Sequence, residues 1–270
     1  MRQKHLLSLK DYSRSDLGAI FDLAREVKAD PGAYGQALRG RTLAMIFQKP
    51  STRTRVSFEA GMFQLGGAAL HLGGDSIQLG RGETVADTAR VLSRFVDAIM
   101  ARVFAHQDVL DLARHSTVPV INGLSDLLHP CQALADYFTL LERHSGLEGL
   151  KVAYVGDGNN VCHELLFGAV KLGLRIAVAT PAGYAPDPLI MESAVLDAQN
   201  AGGPVPEVTT EPARAVAGAD AVYTDVWTSM GQEAEIKARR EAFAGFQVTQ
   251  ALMASAAPGA VFMHCLPAHR

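Results

Sequence analysis

Only three cysteines, at positions 131, 162 and 265, occur in the 270 residues. Their spacing suits neither a disulfide framework nor a metal site, so reduced thiols are expected. Basic charge is not in excess either: 25 Lys and Arg stand against 28 Asp and Glu, a net charge of -3. The chain therefore lacks the overall footprint of a nucleic-acid binder, while a local basic site stays open. No apolar run approaches the roughly 20 residues of a membrane span, which excludes a membrane helix. The opening MRQKHLLSLKDYSRSDL has no apolar stretch followed by a small-residue cleavage site, so no secretory leader is expected. Repeats and low-complexity tracts are missing too. A soluble, cytoplasmic protein with neither nucleic-acid nor membrane partners is the expectation.

What is present is ordinary globular composition: 48% apolar and 20% charged residues, 25 Gly and 12 Pro. This excludes disorder, collagen and coiled coil. Dividing 270 residues by roughly 150 per domain predicts two domains. Short apolar runs alternate with helix-period segments throughout, the α/β pattern. Strands are predicted at Leu43–Phe47, Ala68–Leu72, Ala98–Val103 and Val118–Ile121. Helical faces are predicted for Val56, Ala60 and Phe63, and for Val85, Ala89, Leu92 and Val96. A longer helix should start at Pro130, carry Leu134, Phe138 and Leu141 inward, and stop near Gly146.

The stretch from His144 to Gly149 reads as a break between halves, giving domains 1–145 and 146–270. Beyond it, strands are predicted at Val152–Val155, Ile176–Ala179, Ala221–Asp225 and Ala260–His264, with a weaker one at Glu207–Thr209. Helices should cover Asn160–Leu172, Asp187–Ala201 and Thr249–Ala256. The fold class is thus α/β, two mainly parallel sheets flanked by helices. In such sheets ligands sit where strands end, so the loops after strands are the places to seek chemistry.

Gln48-Lys49-Pro50-Ser51-Thr52-Arg53-Thr54-Arg55 follows the first strand and opens a helix. Hydroxyls, unpaired backbone N–H groups, a positive helix end and two Arg make an anion site, most naturally for phosphate. The alternative is a capped, solvated helix start. Arg102 closes the run Ala98-Ile99-Met100-Ala101, either as a rim charge or at the edge shared with the Ser51–Arg55 loop. His129 and Gln132 flank Pro130 and Cys131, either as an ordinary loop residue and helix start or as an imidazole and an amide, three residues apart, that bind a carbonyl oxygen and an NH2 group.

Gly156-Asp157-Gly158-Asn159-Asn160 has Val161 where a dinucleotide fingerprint needs its third glycine, and the next strand ends in Thr180 and Pro181 rather than an acid. The two Asn can instead offer amides to a small polar ligand. In Asp225-Val226-Trp227-Thr228-Ser229-Met230-Gly231, the acid suits an ammonium and Ser229 a carboxylate; a solvated loop around a buried Trp is the alternative. His264-Cys265-Leu266-Pro267 ends the last strand. A thiol nucleophile is conceivable there, but neighbours on a strand point to opposite faces, so His264 should not serve Cys265 as base.

Ser-Thr-Arg-Thr-Arg at 51–55, His-Pro-x-Gln at 129–132 and His-Cys-Leu-Pro at 264–267, in that order, resemble the aspartate/ornithine carbamoyltransferase family. The motifs at 156–160 and 225–231 resemble its ornithine branch. The resemblance implies a carbamoyl-phosphate-binding domain, an ornithine-binding domain and an active site in the cleft between them. It further implies transfer of the carbamoyl group to the δ-amine of L-ornithine, giving L-citrulline and phosphate within arginine metabolism. On that likeness Ser51, Thr52, Arg53 and Thr54 would hold the phosphate, and Arg102 would bridge it to the carbonyl oxygen. His129 would donate to that oxygen, while Gln132 and the Leu266 carbonyl would hold the NH2 group. Asn160, Asp225, Ser229 and Met230 would grip ornithine, with Cys265 beside the attacking amine. Gln78 matches a position that reaches a neighbouring subunit's site, implying a homotrimer or a multiple of it. No metal or organic cofactor is implied, and the Leu266–Pro267 bond should be cis.

The chemistry fits donors aimed at an oxygen that gains charge and cations facing a leaving phosphate. Cys265, Asp225 and the phosphate are all candidates for the amine proton. Asp225 would repel the second carboxylate of aspartate and favour a diamino acid. Two departures from the family stand out. Family members continue beyond the residue matching Arg270, with a further Arg and a terminal helix, so weaker activity or poor domain closure is the expectation for the chain as it stands. Glu164 occupies a position usually held by Ser, either a tolerated helix residue or an extra carboxylate near ornithine. A sibling enzyme using aspartate, putrescine or an acylated ornithine, or a non-catalytic binder, is the rival reading.

Overall fold

The computed structural model describes residues 3–74, 82–228 and 233–268. The chain divides into two compact units, Met1–Cys131 and Gln132–Arg270.

In the first unit, helix α1 (Arg14–Ala29) is followed by β1 (Thr42–Phe47), α2 (Thr52–Gln64), β2 (Ala68–Gly73), α3 (Val85–Leu92), β3 (Ala98–Arg102), α4 (His106–His115) and β4 (Val120–Leu124). The four strands are parallel in the order β2-β1-β3-β4. Their side chains alternate between two cores. Ala44, Ile46, Ile99 and Ala101 meet α3 and α4 through Ala89, Val109 and Leu112. Leu43, Met45, Phe47 and Met100 meet α2 through Phe58 and Met62.

Helix α5 (Pro130–Arg143) starts at the proline whose fixed φ suits a first turn. The second unit continues with β5 (Lys151–Val155), α6 (Asn160–Leu172), β6 (Arg175–Ala179), α7 (Pro188–Ala201), β7 (Glu207–Thr209), α8 (Pro212–Val216), β8 (Ala221–Thr224), α9 (Ile236–Ala242), α10 (Gln250–Met253) and β9 (Val261–His264). Its sheet is also wholly parallel, in the order β7-β6-β5-β8-β9. Ala153, Val155, Ala177 and Val222 pack against α8, α9 and α10. Helix α6 is buried along nearly its whole length and ends at Gly173, whose φ of 78° is a left-handed cap.

Strand order reverses between β1 and β3 in one sheet and between β5 and β8 in the other. Crevices open at such reversals because successive crossovers leave in opposite directions, so the loops after these four strands are the natural binding loops.

Two expectations need correction. The stripe of Val56, Ala60 and Phe63 does not face the core: Val56 is 55% and Phe63 81% exposed. Phe58 and Met62, also four residues apart, pack on β1 instead. Apolar residues lie on both sides of α2, so period alone does not choose the inward one. Beyond Pro130, the buried positions on α5 are Ala133, Asp136, Tyr137 and Leu140, one step round from Leu134, Phe138 and Leu141, which are half-buried. Helix α1 had no place in the sequence reading; Ser13 and Asp16 form a capping box at its start. Among the described residues no helix is long and apolar enough to cross a membrane.

Candidate active site

Strand β1 delivers the chain to the Gln48 N–H, which donates to the Arg102 carbonyl at 2.9 Å, placing the ends of β1 and β3 side by side. Ser51 caps α2: its Oγ accepts from the Thr54 N–H at 3.3 Å and donates to Thr54 Oγ1 at 3.0 Å. The cap holds two of the predicted phosphate hydroxyls at the positive end of the helix. The two Arg of the motif then part company. Arg55 pairs with Glu59 at 3.0 Å along the helix, whereas Arg53 acts electrostatically on Arg102.

Arg102 is only 8% exposed, and its Nε finds no hydrogen-bond partner among the described residues. Burial, and then the charge of Arg53, lower its pKa to about 10. Lys49, also buried, lies with Nζ 4.9 Å from the Phe104 ring centre; burial lowers its pKa, Asp126 offsets this, and Arg102 adds to it. Burial and the Arg102 charge push His129 down to about 3, so its imidazole is neutral at ordinary pH. Its Nδ1 is buried without a partner among the described residues. Buried cations demand an opposite charge, and this set has more cation than anion. Lys49 had no role in the sequence reading, although its place directly after a buried strand was the available signal.

In the second unit the loop after β5 is shaped by its glycines. Gly156 has a φ of 152°. A Cβ on Gly158 would lie 2.2 Å from the Pro186 nitrogen, and the Gly158 N–H donates to the Tyr184 carbonyl at 2.9 Å. Close backbone approach accounts for that glycine without a nucleotide. Asn159 caps α6, its Oδ1 accepting from the N–H groups of Val161 at 3.0 Å and Cys162 at 3.2 Å. Its Nδ2 donates to Asp225 Oδ2 at 2.7 Å. Asn160 opens α6 half-buried, and Glu164 lies fully buried one turn on.

Asp225 stands just beyond β8, 8% exposed, with Oδ1 accepting from the Cys265 thiol at 2.9 Å and from the Val226 N–H at 2.7 Å. Burial, reinforced by the Asp225 charge, pushes the Cys265 thiol up, so it stays protonated and is a poor nucleophile. The expectation that His264 and Cys265 diverge is corrected. Strand β9 ends at His264, and alternation lapses beyond it: Asp225, His264 and Cys265 place ligand-type atoms within 4.8 Å of one another. The His264 ring also meets the Cys265 carbonyl. An O, N and S set of this kind suits a borderline cation, although the thiol proton already engages Asp225.

Gln132 donates from Nε2 to Asp136 Oδ1 at 3.0 Å. Asp136 is a buried acid that sequence reasoning missed, although its place four residues after Gln132 on an apolar helix was the clue. Burial raises its pKa to about 7 against the Gln132 hydrogen bond, with the Asp225 charge adding to the rise. Trp227 stacks on Phe243 at 5.8 Å. The Trp227 carbonyl accepts from Arg239, which also binds Asp157 and Glu235, each at 2.8 Å. The Leu266–Pro267 bond is cis. Gln78, Ser229, Met230 and Arg270 lie outside the described residues.

Residues 4–142 match the family described as aspartate/ornithine carbamoyltransferase, carbamoyl-P binding domain, and residues 148–270 match its Asp/Orn binding domain. Ornithine carbamoyltransferase of Thermococcus kodakarensis is 56% identical over 269 residues, 99% of this chain and 85% of the relative. The solved ornithine carbamoyltransferase of Pyrococcus furiosus is 55% identical with a TM-score of 0.94, covering 99% of this chain and 86% of that one. The enzyme of Thermus thermophilus is 46% identical with a TM-score of 0.89, covering 100% and 88%. With both halves matched in order and the fold shared along nearly its full length, this chain belongs to the aspartate/ornithine carbamoyltransferase family.

Proposed function

We propose that the protein transfers the carbamoyl group of carbamoyl phosphate to the δ-amine of L-ornithine, forming L-citrulline and phosphate. The observation that carries this reading is the neutral His129 imidazole beside the buried, under-compensated Arg102 guanidinium. A neutral donor next to a fixed cation suits a carbonyl oxygen that gains charge next to a departing phosphate.

In this reading Ser51, Thr52, Arg53 and Thr54 hold the phosphate, and Arg102 bridges it to the carbonyl oxygen. His129 donates to that oxygen, and Gln132, steadied by Asp136, holds the NH2 group with the Leu266 carbonyl. Asn160, Asp225, Ser229 and Met230 hold ornithine, with Cys265 beside the amine. Residues 1–145 mainly serve carbamoyl phosphate and 146–270 mainly ornithine, the Leu266 carbonyl being the exception that reaches the carbamoyl group. The amine nitrogen attacks the carbonyl carbon, the carbon–oxygen bond to phosphate breaks, and the amine loses one proton. Cys265 already carries its proton, which leaves Asp225 and the phosphate as acceptors. No step needs a covalent enzyme intermediate, so positioning and electrostatics supply the rate.

We assign a trimer, or a multiple of it, with Gln78 serving a neighbouring subunit, and a cytoplasmic location. The exposed Val56, Phe63 and Leu70 support self-association. The test is to supply carbamoyl phosphate with ornithine, aspartate, putrescine or acylated ornithine and measure the carbamoylated product. Citrulline from ornithine alone is expected, with turnover abolished in Arg53→Ala. Product from another amine, or ligand binding without product, overturns the reading.

A further inference from the structure

We infer that Asn159 is a positioning residue that fixes the carboxylate of Asp225 to the N-terminus of α6. The inference rests on the reading of Asp225 as the acid that meets the amino-acid substrate. The sequence pairs Asn159 with Asn160 as amides for a ligand, but the structure gives Asn159 other work. Its Oδ1 is held by the N–H groups of Val161 at 3.0 Å and Cys162 at 3.2 Å, and by the Tyr154 hydroxyl at 3.3 Å. Its own N–H donates to the Asp157 carbonyl at 2.8 Å. Three donors on the oxygen settle which end of the amide is which, so Nδ2 must face Asp225, 2.7 Å from Oδ2. The other carboxylate oxygen receives the Cys265 thiol and the Val226 N–H.

Asp225 is therefore gripped on both oxygens before a substrate arrives. A carboxylate held in one rotamer loses little orientational freedom when an ammonium or amine docks, which favours binding. The grip comes from a helix end seated on the sheet, so orientation of Asp225 is tied to the most buried helix of the unit. A hydrogen bond to a charged acceptor is among the stronger kinds.

The cap and the grip can be separated. Asn159→Asp and Asn159→Ser both retain an oxygen that caps α6, yet neither carries the Nδ2 donor. Asp also sets a like charge against Asp225. The expected result is a KM for ornithine raised roughly ten- to a hundredfold, more in the Asp than in the Ser variant. The KM for carbamoyl phosphate and the melting temperature should stay near their wild-type values. An unchanged ornithine KM, or equal losses for both substrates together with a lower melting temperature, overturns the proposal. Failure of the wild-type protein to form citrulline would instead sink the functional reading. A crystal structure of Asn159→Ser then decides positioning alone: a rotated Asp225 carboxylate supports it, and an unmoved one overturns it.

Discussion

The Cys265 thiol donates to Asp225 across 2.9 Å, although the two residues are 40 positions apart in sequence. Parallel pairing of β8 with β9 makes the meeting possible, since the chain leaves both strands at one edge of the sheet.

Burial and the neighbouring Asp225 charge both oppose ionisation of the Cys265 thiol. Alkylation at Cys265, followed by peptide mass spectrometry, should be far slower at pH 8 than for a free small thiol. Asp225→Asn should speed it by removing the like charge. Rapid labelling of Cys265 in the wild-type protein would contradict the assignment of a protonated donor.

Inorganic phosphate should stabilise the protein. The Arg102, Arg53 and Lys49 cluster is short of anions, so a bound dianion relieves repulsion in the folded state alone. At about a hundred times Kd the gain is about 2.7 kcal/mol. Thermal shift with increasing phosphate should show it in the wild-type protein and lose most of it in Arg53→Ala. Equal shifts in both would argue against a phosphate seat at this helix end.

His129 should shape the acid limb of stability. Its folded pKa of about 3 lies below the 6.5 of an unperturbed imidazole, so between these values the unfolded chain binds the extra proton. The contribution of this group is complete above pH 6.5 and is lost as pH falls towards 3. His129→Gln should flatten the decline by at most about 1.4 kcal/mol per pH unit across that window. Denaturant midpoints measured from about pH 7 to pH 4 read the difference directly.

The Arg239–Asp157 pair is buried at both ends, with side-chain exposures of 8% and 9%. Replacing Arg239 by Met leaves Asp157 buried without its cation, at a cost of about 3 kcal/mol or more. Replacing both partners by Leu should recover part of that loss. Chemical denaturation of the two variants tests it, and a double variant no more stable than the single one would refute the pairing argument.

Phe63→Glu should convert an assembly of copies into monomers. The ring is 81% exposed in the single chain, close in sequence to the exposed Val56 and Leu70. Sedimentation analysis of wild type and variant decides it. An unaltered mass would remove this face from the assembly.

How much of this could be read beforehand varied with the physics of each element. Among the described residues each strand overlaps a stretch read from the sequence, and β1, β3, β5, β6 and β8 were the clearest, because strands buried on both faces are continuous apolar stretches bounded by turn signals. The loop motifs at Ser51, His129, Asp225 and Cys265 were legible because their residue types are unusual at strand ends. The inward face of α2 was not, since Phe58 and Met62, four apart, compete with Val56 and Phe63, seven apart, and both spacings are helical. Asp136 and Lys49 were passed over because burial of a charged residue leaves no mark in composition. The meeting of His264 with Cys265 needed the strand's end, which pattern places only to within a residue or two.

The contact of Gly158 with the backbone at Ala185 and Pro186 reaches further than one residue. Any side chain there would push two loops apart, and the displaced piece would carry the amide cap of α6 with it. Even an alanine here, among the smallest changes a codon can make, should therefore act on ornithine handling through a segment some thirty positions downstream.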